Sequence, residues 1–503
     1  MKKILSVLLI VPMMILSSCN DSEQGIEQPK VEDEALIAEF SFLKSDNPNL
    51  KANIYLDIEG DIITGRVNNN TRVDNLMATI EYSGAELTVG NVSQTNGTTR
   101  NDFTDVVVYT VKAADGSQKN YEVDVAKFTG LPIIYLSIDG GSNIESKDDY
   151  VEGNIWIDGG RNFEDFSNSR MEIRGRGNST WGHPKKPYQM KLRDKSAFLG
   201  MPENKKWLFL AEYSDKTMIR NTMSFEMGYI SNLDWTPEST FAEVYLNNEY
   251  NGTYNITQKV EEGEDRVDLG GTGYLLEIDQ LHRLDPDDVY FYTDKFLINI
   301  KEPELANNSS EFNYAKDLLN EFEEVLFSDQ FKDPVSGYQK YIDLDSFIDW
   351  YLISEITKNV DSKNFSSIFL NVIPGEKIKM GPLWDFDLSF GNVDYADSRY
   401  TDGFWVKEHD WYSRLFEDPA FVERIKTRFA YFRSKQDFIL AKMEAHAEKL
   451  KWAQQENDSK WKTIGVYVWP NPVVLDTYDA EVKHLKSWYV DRMDWLDNAY
   501  NGL

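Results

Sequence analysis

Residues 357–392 read TKNVDSKNFSSIFLNVIPGEKIKMGPLWDFDLSFGN, and this stretch decides how the chain is organised. Before it, from Asp343 to Lys358, Leu344, Phe347, Ile348, Tyr351, Leu352 and Ile356 recur at spacings of three and four, the pattern of an amphipathic helix. Within it, the polar loop Lys358-Asn359-Val360-Asp361-Ser362-Lys363-Asn364 leads to an expected strand at Ser367–Val372, a turn at Pro374-Gly375-Glu376 and a second strand at Lys377–Met380. It ends in Leu383-Trp384-Asp385-Phe386-Asp387-Leu388-Ser389-Phe390-Gly391. One hairpin therefore joins two acidic loops and can bring their carboxylates to one end of a sheet.

On extended backbone, Asp385 and Asp387 point to the same face. Adjacent carboxylates without a local Lys or Arg repel each other, and a shared divalent cation relieves that cost. Oxygen donors without His or Cys favour Mg²⁺, Mn²⁺ or Ca²⁺ over zinc. The alternative is a pair of solvated acids, or a helix N-cap, in a chain with 84 Asp and Glu.

Working outward, residues from about Leu131 to Ile300 are rich in strands and turns, including Leu131–Leu136, Phe241–Leu246 and Gly252–Ile256. After Ile300 the pattern turns helical, with Phe421, Ile425, Phe429 and Phe432 on one side. The expectation is an α+β region, 131–503, with a β-rich part followed by a helix-rich part. Between 36 and 128, short runs such as Ala52–Ile58 alternate, and Val106–Val111 and Tyr121–Val125 flank the turn Ala114-Asp115-Gly116-Ser117. Roughly ninety residues of this kind suggest an all-β, immunoglobulin-like sandwich. It resembles modules that precede catalytic or binding domains in Bacteroidetes surface lipoproteins.

The formal net charge of −31 and a pI near 4.6 argue against nucleic acid or anionic lipid as a partner. The single cysteine, Cys19, permits no intrachain disulfide. It follows Lys2 and Lys3, an apolar run Ile4–Leu16, and Leu16-Ser17-Ser18. This resembles a bacterial lipoprotein signal peptide, 1–19, and implies cleavage before Cys19 and its acylation. Residues 20–35 suit a flexible tether. The expected location is the cell envelope, as an outer-membrane lipoprotein, periplasmic or surface-exposed, touching the membrane only through the lipid.

Two more stretches complete a pattern: Arg174-Gly175-Arg176-Gly177-Asn178-Ser179-Thr180-Trp181 and Lys185-Lys186-Pro187-Tyr188-Gln189-Met190-Lys191-Leu192. The glycines allow a tight turn whose amides face phosphate, with Arg174 and Arg176 adding charge; a β-turn with structural arginines reads equally well. A helix, an Asp/Asn loop, a hairpin and a second Asp before Phe and Gly follow the order of parts in protein kinases, without the usual H-R-D and D-F-G wording. With the two basic motifs, the chain resembles the CotH (spore coat protein H) kinase family over about Leu131 to Trp452.

That resemblance implies an atypical protein-kinase-like bilobal fold and transfer of the γ-phosphoryl of ATP, with Mg²⁺ (or Mn²⁺ or Ca²⁺), to Ser or Thr hydroxyls of an extracytoplasmic protein. It makes Asp385 the metal-chelating Asp with Asp387 as second ligand, and Asp361 the catalytic Asp. Asn364 or Asn371 would help hold the metal. Lys191, with Lys186 as fallback, would meet the nucleotide phosphates, and Glu226, on an expected helix from Ile219, would pair with Lys191. Both lysines read equally as strand-end charges. Glu261 and Glu277 follow strand-like runs and would lie near the nucleotide or on the surface.

Against other chemistries, the five histidines show no H-E-x-x-H spacing and no G-x-S-x-G occurs. Trp405, Trp411, Trp461 and Trp469 suit core packing or sugar stacking. A non-catalytic adhesion or glycan-associated lipoprotein on a kinase-like scaffold is the second reading. A two-carboxylate glycosidase, whose acids sit roughly 5–9.5 Å apart, is the third.

Overall fold

The computed structural model describes residues 34–50, 53–68, 71–160 and 162–503. The expected signal peptide, Cys19 and nearly all of the tether lie outside the described residues. The chain divides into two compact units at Lys127/Phe128.

In the first unit, strands Leu36–Phe42, Ile54–Tyr55 and Thr79–Ser83 form one sheet. A six-stranded sheet runs Asp57–Glu59, Ile62–Asn68, Gln118–Phe128, Val107–Lys112, Glu86–Val89, Val92–Ser93. The hairpin at 114–117 turns at Gly116, whose φ of 88° suits a residue without Cβ. Both sheets feed one core, in which Phe40, Phe42, Phe103 and Tyr109 pack mostly edge to face. The Ile37 amide donates to the Tyr121 hydroxyl across the sheets at 3.2 Å.

The second unit is α+β. Strands Ile133–Ile138, Val151–Asp158, Phe166–Gly175, Tyr188–Phe198, Met201–Leu210, Glu249–Gln258 and Ser239–Leu246 close into a barrel. The closing seam is parallel, Ile133 opposite Glu243. A five-stranded antiparallel sheet follows, in the order Val289–Tyr292, Leu297–Glu302, Tyr274–Asp279, Ile368–Val372, Lys379–Met380. The hairpin at 368–380 thus pairs with one strand from before residue 300, Tyr274–Asp279. Strands dominate the chain up to Glu302 and helices dominate from Ser310 onward, the hairpin at 368–380 being the late addition to the sheet.

Among the described residues of this unit there are eight α-helices: α1 Arg220–Tyr229, α2 Ser310–Leu326, α3 Leu344–Thr357, α4 Asp410–Leu415, α5 Pro419–Ser434, α6 Gln436–Leu450, α7 Ala453–Trp461 and α8 Tyr478–Asn501. Helix α5 buries Phe421, Ile425, Phe429 and Phe432, the expected stripe. Helix α3 differs from its expected amphipathic form, because every residue from Ser346 to Thr357 is buried. Its charges are matched instead of solvated: Asp349 receives Arg428 at 2.6 and 2.7 Å, and Glu355 receives Arg492 at 2.6 Å. Asp343 caps its start by accepting from the Ser346 amide, and Lys358 ends it in the left-handed region at φ 45°. No helix among the described residues is long and apolar enough to cross a membrane.

Candidate active site

The strand Phe166–Gly175 ends in the Arg-Gly-Arg-Gly turn. A Cβ on Gly175 would lie 2.3 Å from the Trp181 ring, and Gly177 has φ 84°, so both glycines are required by close approach and by backbone sign. Arg174 lies over the Tyr150 ring at 4.8 Å and Arg176 over Trp384 at 5.6 Å. Both line a cavity of about 360 Å³, and Asp361, Asp385 and Asp387 line the same cavity.

Asp361 comes from the short turn after α3, and Asp385 and Asp387 from the loop after the hairpin. Asn359 joins the two loops: its Nδ2 donates to the Asp385 carbonyl at 3.1 Å and its Oδ1 accepts from the Asp361 amide at 3.3 Å. The Phe390 amide donates to the Thr357 carbonyl at 2.6 Å, tying the second loop to the end of α3. The extended geometry expected for 385–387 is not found. Asp385 has φ 65°, left-handed for a residue with a Cβ, so strand alternation is not what brings the two carboxylates together.

The electrostatics follow from burial among like charges. Asp361 is pushed up to about 7 by desolvation and then by Asp385, with Arg283 opposing. Asp387 is raised well above the carboxylate range by desolvation, then by Asp385, Glu212 and Asp361. Burial lowers the Arg176 guanidinium, while Asp385, Asp387 and Glu212 hold its proton on. No group of three or more His, Cys, Asp or Glu set for a metal ion occurs among the described residues. The donor set still fits Mg²⁺, which usually takes one or two carboxylates and completes its shell with waters and substrate phosphates. The crowded, raised Asp387 is the group such a cation would relieve.

Other expected site residues lie elsewhere. The Lys191–Glu226 pair is not formed: Lys191 faces Glu172 at 3.5 Å and is half exposed, while Glu226 binds His446 at 2.9 Å and Lys442 at 3.1 Å. Lys186 donates to the Trp181 carbonyl at 2.6 Å. Asn364 accepts from the Asp410 amide at 3.2 Å and Asn371 donates to the Gly381 carbonyl at 3.3 Å, so neither turns to the acids. Glu261 is an ion-pair hub for Lys206 and Arg266, at 2.9 and 3.0 Å. Glu277 does line the cavity, and burial pushes it up to about 7.

Sequence reasoning missed Glu212, Asn221, Lys259, Arg283 and Lys301, all of which line the cavity. Glu212 follows the strand Met201–Leu210 at φ 48°. Asn221, on α1, donates to both Glu212 oxygens at 3.1 and 3.2 Å and accepts from the Phe386 amide at 2.7 Å. It therefore ties the barrel end to the backbone between the two acids. Burial and Asp215 push Glu212 up to about 8. The signal available was Glu212 as an isolated acid directly after the apolar run Trp207–Ala211.

Residues 173–496, well over half of the chain, match the family described as CotH kinase protein. The chain belongs to the CotH kinase family. Residues 40–125 match a second family, described as SGBP, N-terminal. Among curated proteins none matches. Two solved structures give local similarity. A candidate secreted protein of Bacteroides fragilis is 20% identical, covering 19% of this chain and 98% of that one at a TM-score of 0.15. A candidate glycoside hydrolase of Bacteroides thetaiotaomicron is 16% identical, covering 58% of this chain and 88% of that one at 0.17. Scores of this size carry no argument about fold or activity.

Proposed function

We propose that the CotH unit is a metal-dependent phosphotransferase that moves the γ-phosphoryl group of ATP to a hydroxyl, for which the family suggests Ser or Thr of an extracytoplasmic protein. The observation that carries this reading is the arrival of Asp361, Asp385 and Asp387 from two loops, with Arg174 and Arg176, in one cavity of about 360 Å³. The barrel with its Arg-Gly turn is read as the lobe that grips the nucleotide, and the helical region as the lobe that carries the acids.

Asp385 and Asp387 would hold the cation, which when bound neutralises charge on the phosphates. Asp361, raised to about 7, sits in the range where a carboxylate takes a hydroxyl proton at neutral pH. Arg174 and Arg176 compensate phosphate charge, and Lys259 and Lys301 replace Lys191 and Lys186 as the lysines for that task. Asn221 and Asn359 keep the acids at fixed separation by holding the backbone on either side of them.

A second reading rests on the SGBP match over 40–125: a surface lipoprotein whose N-terminal unit binds glycan and whose CotH unit is a scaffold. The Leu16-Ser17-Ser18-Cys19 motif supports an envelope location under either reading. The test is incubation of the purified protein with γ-labelled ATP and Mg²⁺ or Mn²⁺. The phosphotransferase reading requires label transfer in the wild type and its loss in Asp361→Asn and Asp385→Asn. Equal labelling of all three overturns it.

A further inference from the structure

A patch of exposed aromatic side chains lies just outside the cavity lining. Tyr395 and Trp469 stack at 6.0 Å between centroids and 14° between planes, and they are 54% and 48% exposed. Tyr467, also 54% exposed, donates its hydroxyl to Asp394 at 2.7 Å. Large rings left in water on two neighbouring loops call for an occupant.

The patch is strutted to the acid loop. Asn471, buried two residues after Trp469, donates to the Asn392 side chain at 2.9 Å, and Asn392 donates to the Asp387 carbonyl at 2.9 Å. Both asparagines also hold the Ser214 carbonyl, at 2.6 and 3.2 Å, beside the Glu212 turn. Burial, and then the charges of Asp361, Asp387 and Asp394, hold the Tyr395 proton on.

We propose that Tyr395 and Trp469 form the acceptor subsite and that the acceptor is a neutral saccharide, bound with a pyranose face against the rings. This rests on the phosphotransferase reading and puts a sugar hydroxyl in place of the Ser or Thr acceptor. Flat, nearly parallel rings match the C–H face of a sugar, and the Asp394 carboxylate, held beside them by Tyr467, accepts from hydroxyls while repelling anionic polymers. Residues 390–400 and 464–476 contain no strand, so the patch offers no edge for a peptide to join by strand addition. In the transfer, the acceptor hydroxyl oxygen forms a bond to the γ-phosphorus as its bond to the β–γ bridging oxygen breaks. ADP leaves with that oxygen, and the hydroxyl proton passes to Asp361.

The test is native affinity electrophoresis of the full protein in gels cast with xyloglucan, laminarin or mannan, paired with γ-labelled ATP and the same polysaccharides. At least one polysaccharide should retard the wild type and accept label. Retardation should weaken about tenfold in Trp469→Ala and Tyr395→Ala, and persist in Trp469→Phe, which keeps the stack. No retardation by any of the three overturns the proposal, as does equal retardation in the alanine variants, which assigns binding to the N-terminal unit. Label entering dephosphorylated casein in a Trp469-dependent way, with none entering polysaccharide, assigns the patch to peptide. Mn²⁺–ATP binding, measured on the same wild-type sample, is independent of the patch. Its absence sinks the phosphotransferase reading and leaves saccharide binding standing.

Discussion

Among the described residues from 34 to 127 the buried polar side chains are Ser41, Asn47, Thr71 and Gln94, whereas from 128 onward burial extends to Glu212, Asp215, Arg220, Glu277, Glu355 and Arg492. The first interior avoids the cost of desolvating charge altogether. The second accepts it in two ways. Away from the cavity, charges are matched, as where Arg492 and Glu355, both fully buried, also gather the 401, 403 and 405 backbone. At the cavity, carboxylates face carboxylates and their protons are held to higher pH. Matched charge positions loops, while the crowded carboxylates are the groups that a cation would relieve.

The largest effect that tests this contrast is on transfer. Asp361→Asn should lower phosphoryl transfer by about 10²–10⁴-fold, with the melting temperature unchanged or raised, because a repelled carboxylate is removed. A large loss of stability would place Asp361 among the matched charges instead. Next come the two interiors themselves. Glu355→Gln strands Arg492 and should cost about 3–5 kcal/mol in the C-terminal unfolding transition alone. Phe40→Ala should cost about 3–5 kcal/mol in the N-terminal transition and leave transfer intact. Calorimetry on each variant checks both, and a joint shift of the two transitions would break the comparison.

A smaller effect is expected with pH. Asp361, Glu212 and Glu277 hold protons to about 7, about 8 and about 7 when folded, above their unfolded values near 4. The folded state therefore binds more protons than the unfolded one between about pH 4 and about pH 8, and stability falls as pH rises through that window. The metal-free C-terminal unit should melt at lower temperature at pH 8 than at pH 5, the N-terminal unit should not follow, and Mg²⁺ should narrow the difference. The smallest effect belongs to Lys191→Ala. Its exposed pair with Glu172 should be worth less than about 1 kcal/mol, and transfer should stay within about twofold of the wild type.

The hairpin at 368–380 was legible because its turn chemistry, Pro374-Gly375, is local. The barrel seam was not, since Ile133 pairs with Glu243 across more than a hundred residues and neither strand carries a mark of it. Asp385 and Asp387 were legible as adjacent carboxylates without neighbouring cations, and Asp361 through the resemblance to the kinase order of parts. The cations were not. Strand period places Lys191 on the side of Gln189, which does line the cavity, but one step farther along, where Glu172 on the adjacent strand takes its ammonium. Lys259 stands at a strand end in no motif, and Asn221 acts through contacts with Glu212 and Phe386 that no local pattern marks.

The most direct test of the central claim is calorimetric titration of the intact protein with ATP in the presence of Mn²⁺, on wild type and Asp385→Asn. The account predicts metal-dependent binding to the wild type, lost in the variant while its metal-free melting temperature holds or rises. Equal binding to both proteins, or none to the wild type, would contradict it.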